Sequence, residues 1–389
     1  MGSGRVSGGI ETKLFITGLG CLSGLGTNVA SHRSAVAAGT SAFQPLAGWL
    51  GADSPFADLP ASWIEPRALL VHRKWGPSSV AALLAAKEAV REAGWSTDDL
   101  RDAALVVGTS RGSAAGWLAP WPGRRPFKVM SASNTIHSEP AAAVSIELGI
   151  QGPYHVLASG CSAGLDAIGM AMLLVQSGAA PRALAVAVDL PLVPMLLESY
   201  SSSQLLASSS HVDPYHPQTS GFIPGEAAGA ITIDRMPTSS PSPGLIGYLA
   251  NSDAADPVGM PKDGGMTADL VARAVERFGF PQAICPHATG TRVHATAEPA
   301  ALSRAFPDRR PALHLLKPMT GHTIGASGML ETVIMAAFLR EGMLPPNLAG
   351  LTCPVGFELP DRMLPATGPV FKISNSMGGH NALLAMSAP

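Results

Sequence analysis

The sequence predicts an α/β protein whose mainly parallel strands are covered by helices on both faces. Apolar strands alternate with amphipathic helices, and some strands, such as Ala183 to Val188, are unbroken apolar runs. Unbroken runs are typical of strands buried on both faces of a sheet. The same alternation restarts after the Pro/Ser-punctuated stretch 237–243. We therefore expect an N-terminal half at 12–236 and a C-terminal half at 237–389, after a Gly/Ser-rich arm at 1–11 that is disordered or a remnant of cloning.

Strands and helices in the first half follow from apolar spacing and glycine caps. Val80, Leu83 and Leu84 recur at helical spacing before Gly94, so this segment is a firm amphipathic helix. The serine-rich stretch 199–210 is expected to be a loop. The predicted strands are 13–20, 102–109, 154–158, 183–188 and 227–233, and the predicted helices are 28–38, 77–94, 141–148 and one that ends at Gly178.

The second half repeats this order of elements. The predicted strands are 244–250, one ending at Ile284, 312–316, 369–373 and 381–386, and the predicted helices are 266–278, 295–306 and 327–340. No repeat is visible in the residues themselves, so the sequence alone does not indicate an internal duplication.

Composition excludes several classes of protein. Of 389 residues, 46% are hydrophobic and 14% are charged, and the net charge is -2, so no global basic field attracts nucleic acid or an anionic membrane. No run reaches the roughly 20 apolar residues of a membrane-spanning helix. The four cysteines are scattered, without a Cys-x-x-Cys pair, and suggest neither a disulfide framework nor a zinc site. We expect a protein of the reducing cytoplasm that needs no metal.

Cys161 lies at a turn between a short strand and a helix, beside Gly160 and Gly164. A thiol there would face the positive end of the helix, which lowers the pKa of a cysteine and makes the sulfur nucleophilic near neutral pH. A small buried core cysteine explains the same pattern equally well, because free cysteine is among the most buried residue types. This stretch alone leaves both interpretations open.

Two histidines each follow a strand in the second half. His287 lies in Pro-His-Ala-Thr-Gly-Thr and His322 in Thr-Gly-His-Thr-Ile-Gly. Open α/β sheets present functional groups at such strand ends. Because a lone loop histidine is usually solvated or structural, it is the matching positions of the two that suggest a site. No glycine-rich nucleotide-binding motif follows a strand, which disfavours nucleotide binding.

Several motifs together carry a family resemblance. They read Ser-Gly-Cys161-Ser-Ala-Gly, His287-Ala-Thr-Gly-Thr291 and Lys317-x-x-x-Gly-His322-x-x-Gly, flanked by Ile16-Thr-Gly-Leu-Gly20 and Ser374-Asn-Ser-Met-Gly-Gly-His-Asn381. In this order they resemble the signature blocks of the β-ketoacyl synthases, the thiolase-fold condensing enzymes of fatty acid and polyketide synthesis. The Cys-His-His set is similar to that of the elongating, decarboxylating branch. The resemblance implies a thiolase-like fold layered α/β/α/β/α, with two similar halves that each contain a mixed, mainly parallel sheet.

The resemblance also implies roles for individual residues. Cys161 would hold an acyl chain as a thioester, and His287 and His322 would stabilise the enolate formed when a malonyl thioester loses carbon dioxide. Lys317 would pair with Glu331. The oxyanion hole would use the backbone N–H groups of Cys161 and Met377. The remaining implied contacts are with the pantetheine arm, through Thr289 and Thr291, and with the acidic acyl carrier protein, through Arg73, Lys74, Arg124 and Arg125.

The resemblance further implies that substrates arrive on the phosphopantetheine arm of the carrier protein, without a separate cofactor, and that the enzyme is a homodimer or a heterodimer with a homologous subunit. Departures from the family pattern suggest a specialised pathway. The loop Asn375 to Gly379 is two residues shorter than usual, and Met377 stands where a gating phenylalanine is common. Two alternatives remain: a non-catalytic partner subunit of the chain-length-factor kind, and an acyltransferase that passes the chain to an amine or alcohol.

Overall fold

A computed structural model describes residues 13–114, 136–208, 212–257 and 259–389. Ten strands form its main sheet, which runs in the order β3-β2-β4-β5-β1-β6-β10-β9-β7-β8. The strands are β1 (Leu14–Ser23), β2 (Ala104–Gly108), β3 (Tyr154–Leu157), β4 (Ala183–Asp189), β5 (Ala227–Asp234), β6 (Gly244–Ser252), β7 (Ala283–Cys285), β8 (Ala312–Leu313), β9 (Val370–Asn375) and β10 (His380–Ser387). Two small strand pairs lie outside this sheet, Gln44–Pro45 with Pro60–Ala61 and Met343–Leu344 with Leu364–Pro365.

The two halves of the chain have the same strand order. In each half the third strand pairs with the second, the second with the fourth, the fourth with the fifth and the fifth with the first. Only the fifth strand of each half runs against the other four, so each half is mixed and mainly parallel. The halves join where β1 pairs with β6, at Leu14 with Leu245 and Phe15 with Gly244. This shared topology is the duplication that the residues themselves do not reveal.

Helices cover the strands in three layers. They are α1 (Val29–Ala37), α2 (Pro77–Ala93), α3 (Thr97–Arg101), α4 (Glu139–Leu148), α5 (Ala163–Gln176), α6 (Pro194–Ser202), α7 (Gly265–Phe278), α8 (Arg292–Ala305) and α9 (Ser327–Leu339). Single helical turns form at Ala47–Leu50 and Lys317–Thr320, and 3-10 turns at Arg67–Leu70, Gly160–Ser162 and Ile324–Ala326.

Side-chain alternation in β4 explains the layering. Ala183, Ala185 and Ala187 pack toward the central helices α5 and α9, whereas Leu184, Val186 and Val188 pack toward α2 and α4. In the second half of the sheet, alternate residues of β9 and β10 pack against the outer helices α7 and α8. Every residue of α9 is buried, as expected for a helix enclosed between the two halves of the main sheet. The predicted five-layer thiolase-like fold is confirmed.

Two predicted elements are wrong in extent. The expected loop at 199–210 begins as helix, because α6 starts at Pro194 and continues to Ser202, burying Leu197 and Tyr200. The expected strand 312–316 stops at Leu313, since the side chain of Asn347 takes over the next backbone groups. Its Oδ1 accepts from Leu315 N–H at 2.6 Å and its Nδ2 donates to Leu313 C=O at 2.8 Å.

The junction predicted at 237–243 lies between β5 and β6. The division of the chain into two domains stays a prediction, and the arm predicted at 1–11 lies outside the described residues. Among the described residues, no helix is both long enough and apolar enough to cross a bilayer.

Candidate active site

Cys161 lies in the 3-10 turn that joins β3 to α5 and is 5% exposed. Gly160 supports this turn with a left-handed φ of 63°, which an L side chain rarely adopts. Ser376 ties the turn to the loop before β10. Its Oγ lies 2.6 Å from the carbonyl of Ser159 and accepts from Ser162 N–H at 2.7 Å. The sulfur is therefore fixed against a loop from the far end of the chain.

The structure brings both histidines to this sulfur. His322 Nε2 lies 3.3 Å from Cys161 Sγ. One ligand atom from each of Cys161, His287 and His322 lies within 4.8 Å of the others, and the two imidazole centroids are 5.2 Å apart. All three residues are buried. Two matching strand ends in the second half and one turn in the first half therefore converge on a single site.

Both imidazoles are neutral donors and acceptors rather than cations. Burial, followed by the positive charge of Lys317, holds the pKa of His287 and of His322 well below the usual value. His322 Nδ1 lies 3.0 Å from Ser327 Oγ, which also accepts from Thr323 N–H at 2.9 Å. His287 Nδ1 is buried and has no hydrogen-bond partner among the described residues.

Of the two interpretations of the Cys161 stretch, the one in which the helix end lowers the pKa of the thiol is not supported. Burial raises the pKa of its thiol to about 11, although Lys317, Arg111 and the backbone N–H of Met377 act in the opposite direction. The dipole of α5 does not lower the pKa of the thiol, because Cys161 precedes the first turn of this helix. Cys161 is also almost fully removed from water, so desolvation of the thiolate has the larger effect on the pKa. The resting site holds a neutral thiol beside two neutral imidazoles.

Below the histidines, one buried carboxylate joins two buried ammonium groups. Lys317 Nζ lies 2.7 Å from Glu331 Oε1, the pair expected from the sequence. Lys372, which sequence reasoning missed, places its Nζ 2.5 Å from Glu331 Oε2. It also donates to the carbonyls of Ile373 at 2.7 Å and Pro286 at 3.2 Å. The cluster carries an excess positive charge and supports the backbone directly before His287.

Glu298, on α8, braces the backbone at His287. Its carboxylate accepts from the backbone N–H groups of His287 at 2.6 Å and Ala288 at 2.8 Å, and from the Tyr215 hydroxyl at 2.9 Å. Burial alone would raise the pKa of Glu298, but the nearby His294 and these hydrogen bonds outweigh it and lower the pKa to about 2. Glu298 is an ionised brace for the His287 loop.

Asp189 was missed altogether. At the end of β4 it accepts from Ser110 N–H and Arg111 N–H at 2.9 Å each, and from Gly325 N–H at 2.8 Å. Burial raises the pKa of Asp189 to about 6. A polar residue that ends an apolar strand was the available signal, but the sequence does not show which backbone it meets. The carboxylate links the two halves next to Cys161.

A cavity of about 350 Å³ opens onto the sulfur and both imidazoles. The other predicted residues that line it are Thr289, Thr291 and Met377. The predicted docking residues are not among those lining it. Arg73 is exposed, and Lys74 lies 3.4 Å from Glu147 at the end of α4. Arg124 and Arg125 lie outside the described residues.

Comparison with known families identifies this arrangement. The model of the β-ketoacyl synthase N-terminal domain matches residues 11–238, and that of the C-terminal domain matches residues 244–350. The chain belongs to the β-ketoacyl synthase family. The resemblance inferred from the motifs is therefore confirmed, and the three converging residues come from both matched domains.

Individual relatives of this ketosynthase are distant. Nodulation protein E of Rhizobium sp. (strain N33) is 28% identical, over 87% of this chain and 89% of its own length. The 3-oxoacyl-[acyl-carrier-protein] synthase 2 of Rhizobium meliloti (strain 1021) is 28% identical, over 77% and 75%. Among solved structures, the ishigamide ketosynthase/chain length factor matches with a TM-score of 0.82 and 22% identity, over 97% of this chain and 99% of that one. The structural match supports the fold alone.

Proposed function

We propose that this ketosynthase is an acyltransferase that condenses an acyl chain, held as a thioester on Cys161, with a malonyl group carried by acyl carrier protein. The observation that carries the proposal is the convergence of one thiol and two neutral imidazoles within 4.8 Å on a cavity. The family and the relatives named for 3-oxoacyl synthesis support a role in a polyketide or fatty-acid-like pathway.

In the first step, the Cys161 sulfur attacks the acyl thioester and the pantetheine thiol leaves. Because the thiol is neutral at rest, its proton must move as the carbon–sulfur bond forms. His322 Nε2, 3.3 Å away, is placed to accept it when Ser327 holds the hydrogen on Nδ1. The oxyanion of this step would be bound by the backbone N–H groups of Cys161 and Met377.

In the second step, the bond between the α-carbon and the carboxylate of the malonyl group breaks and carbon dioxide leaves. The enolate oxygen would accept hydrogen bonds from neutral His287 and from neutral His322, whose hydrogen is on Nε2 in this step while Nδ1 accepts from the Ser327 hydroxyl. The α-carbon then attacks the acyl carbonyl, and the tetrahedral intermediate releases the Cys161 sulfur. Lys317, Lys372 and Glu331 supply the net positive charge below the histidines that favours this anion.

Carrier-protein and subunit contacts belong to the same proposal. Thr289 and Thr291, on the cavity wall, would bind the pantetheine arm, which brings the substrate without a separate cofactor. Arg73 and Lys74, with Arg124 and Arg125, would meet the acidic carrier. Dimerisation with a homologous subunit is supported by β3, an edge strand that pairs only with β2 among the described residues and exposes Tyr154 at 46%. We place the enzyme in the cytoplasm.

A single assay tests this function. The protein is incubated with acyl and malonyl carrier proteins, while carbon dioxide release and the mass on Cys161 are followed. Wild type should be acylated, release carbon dioxide and extend the chain by two carbons. Cys161→Ala should abolish acylation, and the matched control Cys353→Ala, at an exposed cysteine, should not. His287→Ala and His322→Ala should each slow decarboxylation by about 10²–10³-fold.

The other outcomes select the alternatives. Acylation without decarboxylation, with transfer to an amine or alcohol, would assign the protein as an acyltransferase of another kind. Absence of any acylation would assign it as a non-catalytic partner subunit. Each of these results would refute the condensing function.

A further inference from the structure

One wall of the cavity is built around Tyr200. Cys161 packs in one cluster with Tyr200, Phe222 and Ile324, and Leu205 lies against them. The ring of Tyr200 meets that of Phe222 edge-on at 5.6 Å, and Phe222 in turn meets His322 at 5.0 Å. An acyl chain on Cys161 would therefore enter aromatic and aliphatic surroundings that contain one phenol.

Arg111 is not among the residues that line the cavity, but its backbone is held next to this wall and its guanidinium carbon is 5.9 Å from the Tyr200 ring centroid. Asp189 binds the N–H groups of Ser110 and Arg111 with the same carboxylate that binds Gly325 N–H. The approach is close, since a Cβ added at Gly325 would lie 2.7 Å from Ser110 N and 3.0 Å from Gly160 O. The residue before Cys161 and the residue before Arg111 therefore flank the same glycine.

The polar groups on this wall are incompletely satisfied. The Arg111 guanidinium interacts with the Tyr200 hydroxyl. The buried Arg111 Nε and the buried Tyr200 hydroxyl form no other hydrogen bond among the described residues. The Arg111 guanidinium carbon is 5.9 Å from the Tyr200 ring centroid, and no carboxylate of the described residues forms a salt bridge with it. The positive charge of Arg111 favours the Cys161 thiolate. It therefore offsets part of the rise in the pKa of Cys161 that burial causes.

Resting on the proposed function, we propose that the acyl group accepted by Cys161 carries a hydrogen-bond-accepting oxygen, a ketone or a carboxylate, which binds Tyr200 and Arg111. Beside a plain alkyl chain, the guanidinium and the phenol would have only each other. The Tyr200 O–H and the Arg111 Nε–H would then have no acceptor in buried surroundings, which is the costly arrangement in proteins. Sites built to bind an oxygen reject analogues that lack it far more strongly than apolar pockets reject an extra methylene. The planar guanidinium also suits a carboxylate or carbonyl acceptor.

The test compares thioesters of matched reach. Wild-type protein is incubated with the N-acetylcysteamine thioesters of hexanoic, 5-oxohexanoic and glutaric acids, and the rate of mass gain on Cys161 is measured. The thiol proton passes to the leaving N-acetylcysteamine. We expect the oxygen-bearing chains to react at least about tenfold faster than hexanoyl, in line with the energy of a buried hydrogen bond to a charged group.

Two variants separate the donors. Tyr200→Phe removes one hydroxyl and should reduce the preference for both oxygenated chains. Arg111→Met should reduce it more for glutaryl, because the carboxylate loses its charge partner. The control Arg101→Met, on the exposed end of α3, should keep the wild-type preference. A larger loss for the ketone would indicate the phenol as the main donor, and a larger loss for glutaryl the guanidinium, and both results support the proposal.

Three outcomes overturn it. Equal or faster reaction of hexanoyl in wild type would refute oxygen recognition and leave the condensing function intact. A uniform slowing in Arg111→Met, with the preference unchanged, would assign Arg111 to activation of the thiol instead. Failure of Cys161 to react with all three thioesters and with acyl carrier protein would remove the proposed function, and this inference with it.

Discussion

Raising the pH should increase the reactivity of Cys161 without a plateau in the neutral range. The pKa of about 11 gives a thiolate fraction of about 10⁻³ at pH 8, and that fraction rises tenfold for each pH unit. A thiolate stabilised by the helix dipole would instead be fully formed near pH 7, and its alkylation rate would level off there. The two accounts differ by about three orders of magnitude in thiolate population at pH 8.

The measurement is iodoacetamide alkylation between pH 6.5 and 9.5, followed by peptide mass spectrometry. Cys353, which is exposed, serves as the reference site in the same spectra. The logarithm of the Cys161 rate should rise linearly with a slope near one. Lys317→Met should lower the rate at pH 8, because Lys317 is the strongest of the charges that favour the thiolate. A rate that levels off below pH 8 would refute the dominance of burial over the neighbouring cations.

Three other predictions follow from buried groups around the site. Lys372→Met should lower the free energy of unfolding by roughly 3 kcal/mol in urea titrations, because the buried carbonyls of Ile373 and Pro286 lose a charged hydrogen-bond donor. Lys262→Met, on the surface, should have little effect. Similar losses in both variants would refute a role for the cluster. Glu298 has a folded pKa of about 2, below its usual value, so its contribution to stability is complete above about pH 4.5 and is lost as the pH falls toward 2. The stability difference between wild type and Glu298→Gln should therefore shrink over that range, and a constant difference would contradict this. Gly164→Ala should lower the free energy of unfolding by about 1–3 kcal/mol, since the added Cβ would lie 2.7 Å from Met329 N where α5 meets α9. Gly48→Ala is the control. Equal midpoints of thermal unfolding for the two variants would count against close helix packing.

The sequence predicted the fold where periodicity alone determines the element. Strand β4 could be predicted because burial on both faces gives an unbroken apolar run. Helix α2 could be predicted because burial of one stripe gives apolar residues at helical spacing. The serine-rich end of α6 was missed, since Tyr200 is buried by contacts with Phe222 that no local pattern encodes. The short β8 was overextended because the partner that replaces its ladder is the side chain of Asn347.

The site was predicted through its motifs and incompletely through its electrostatics. Cys161, His287 and His322 stand in recognisable blocks, so their convergence was expected. Lys372 lies in a strand where a charged residue would ordinarily face water, and only the tertiary structure shows that Glu331 binds it together with Lys317. The sequence left the pKa of Cys161 open for the same reason, because desolvation depends on the complete surroundings of the sulfur.

The tie between Ser376 and the turn that carries Cys161 has a consequence for biosynthesis. During translation, the ribosome makes the nucleophile long before the loop at 375–379 that closes over it. Until that segment is made, Ser159 and Ser162 lack the Ser376 hydroxyl that binds them, so a nascent chain would carry the Cys161 thiol in a turn that is not yet fixed. Synthesis of residues 375–379 thus completes the support of the nucleophile.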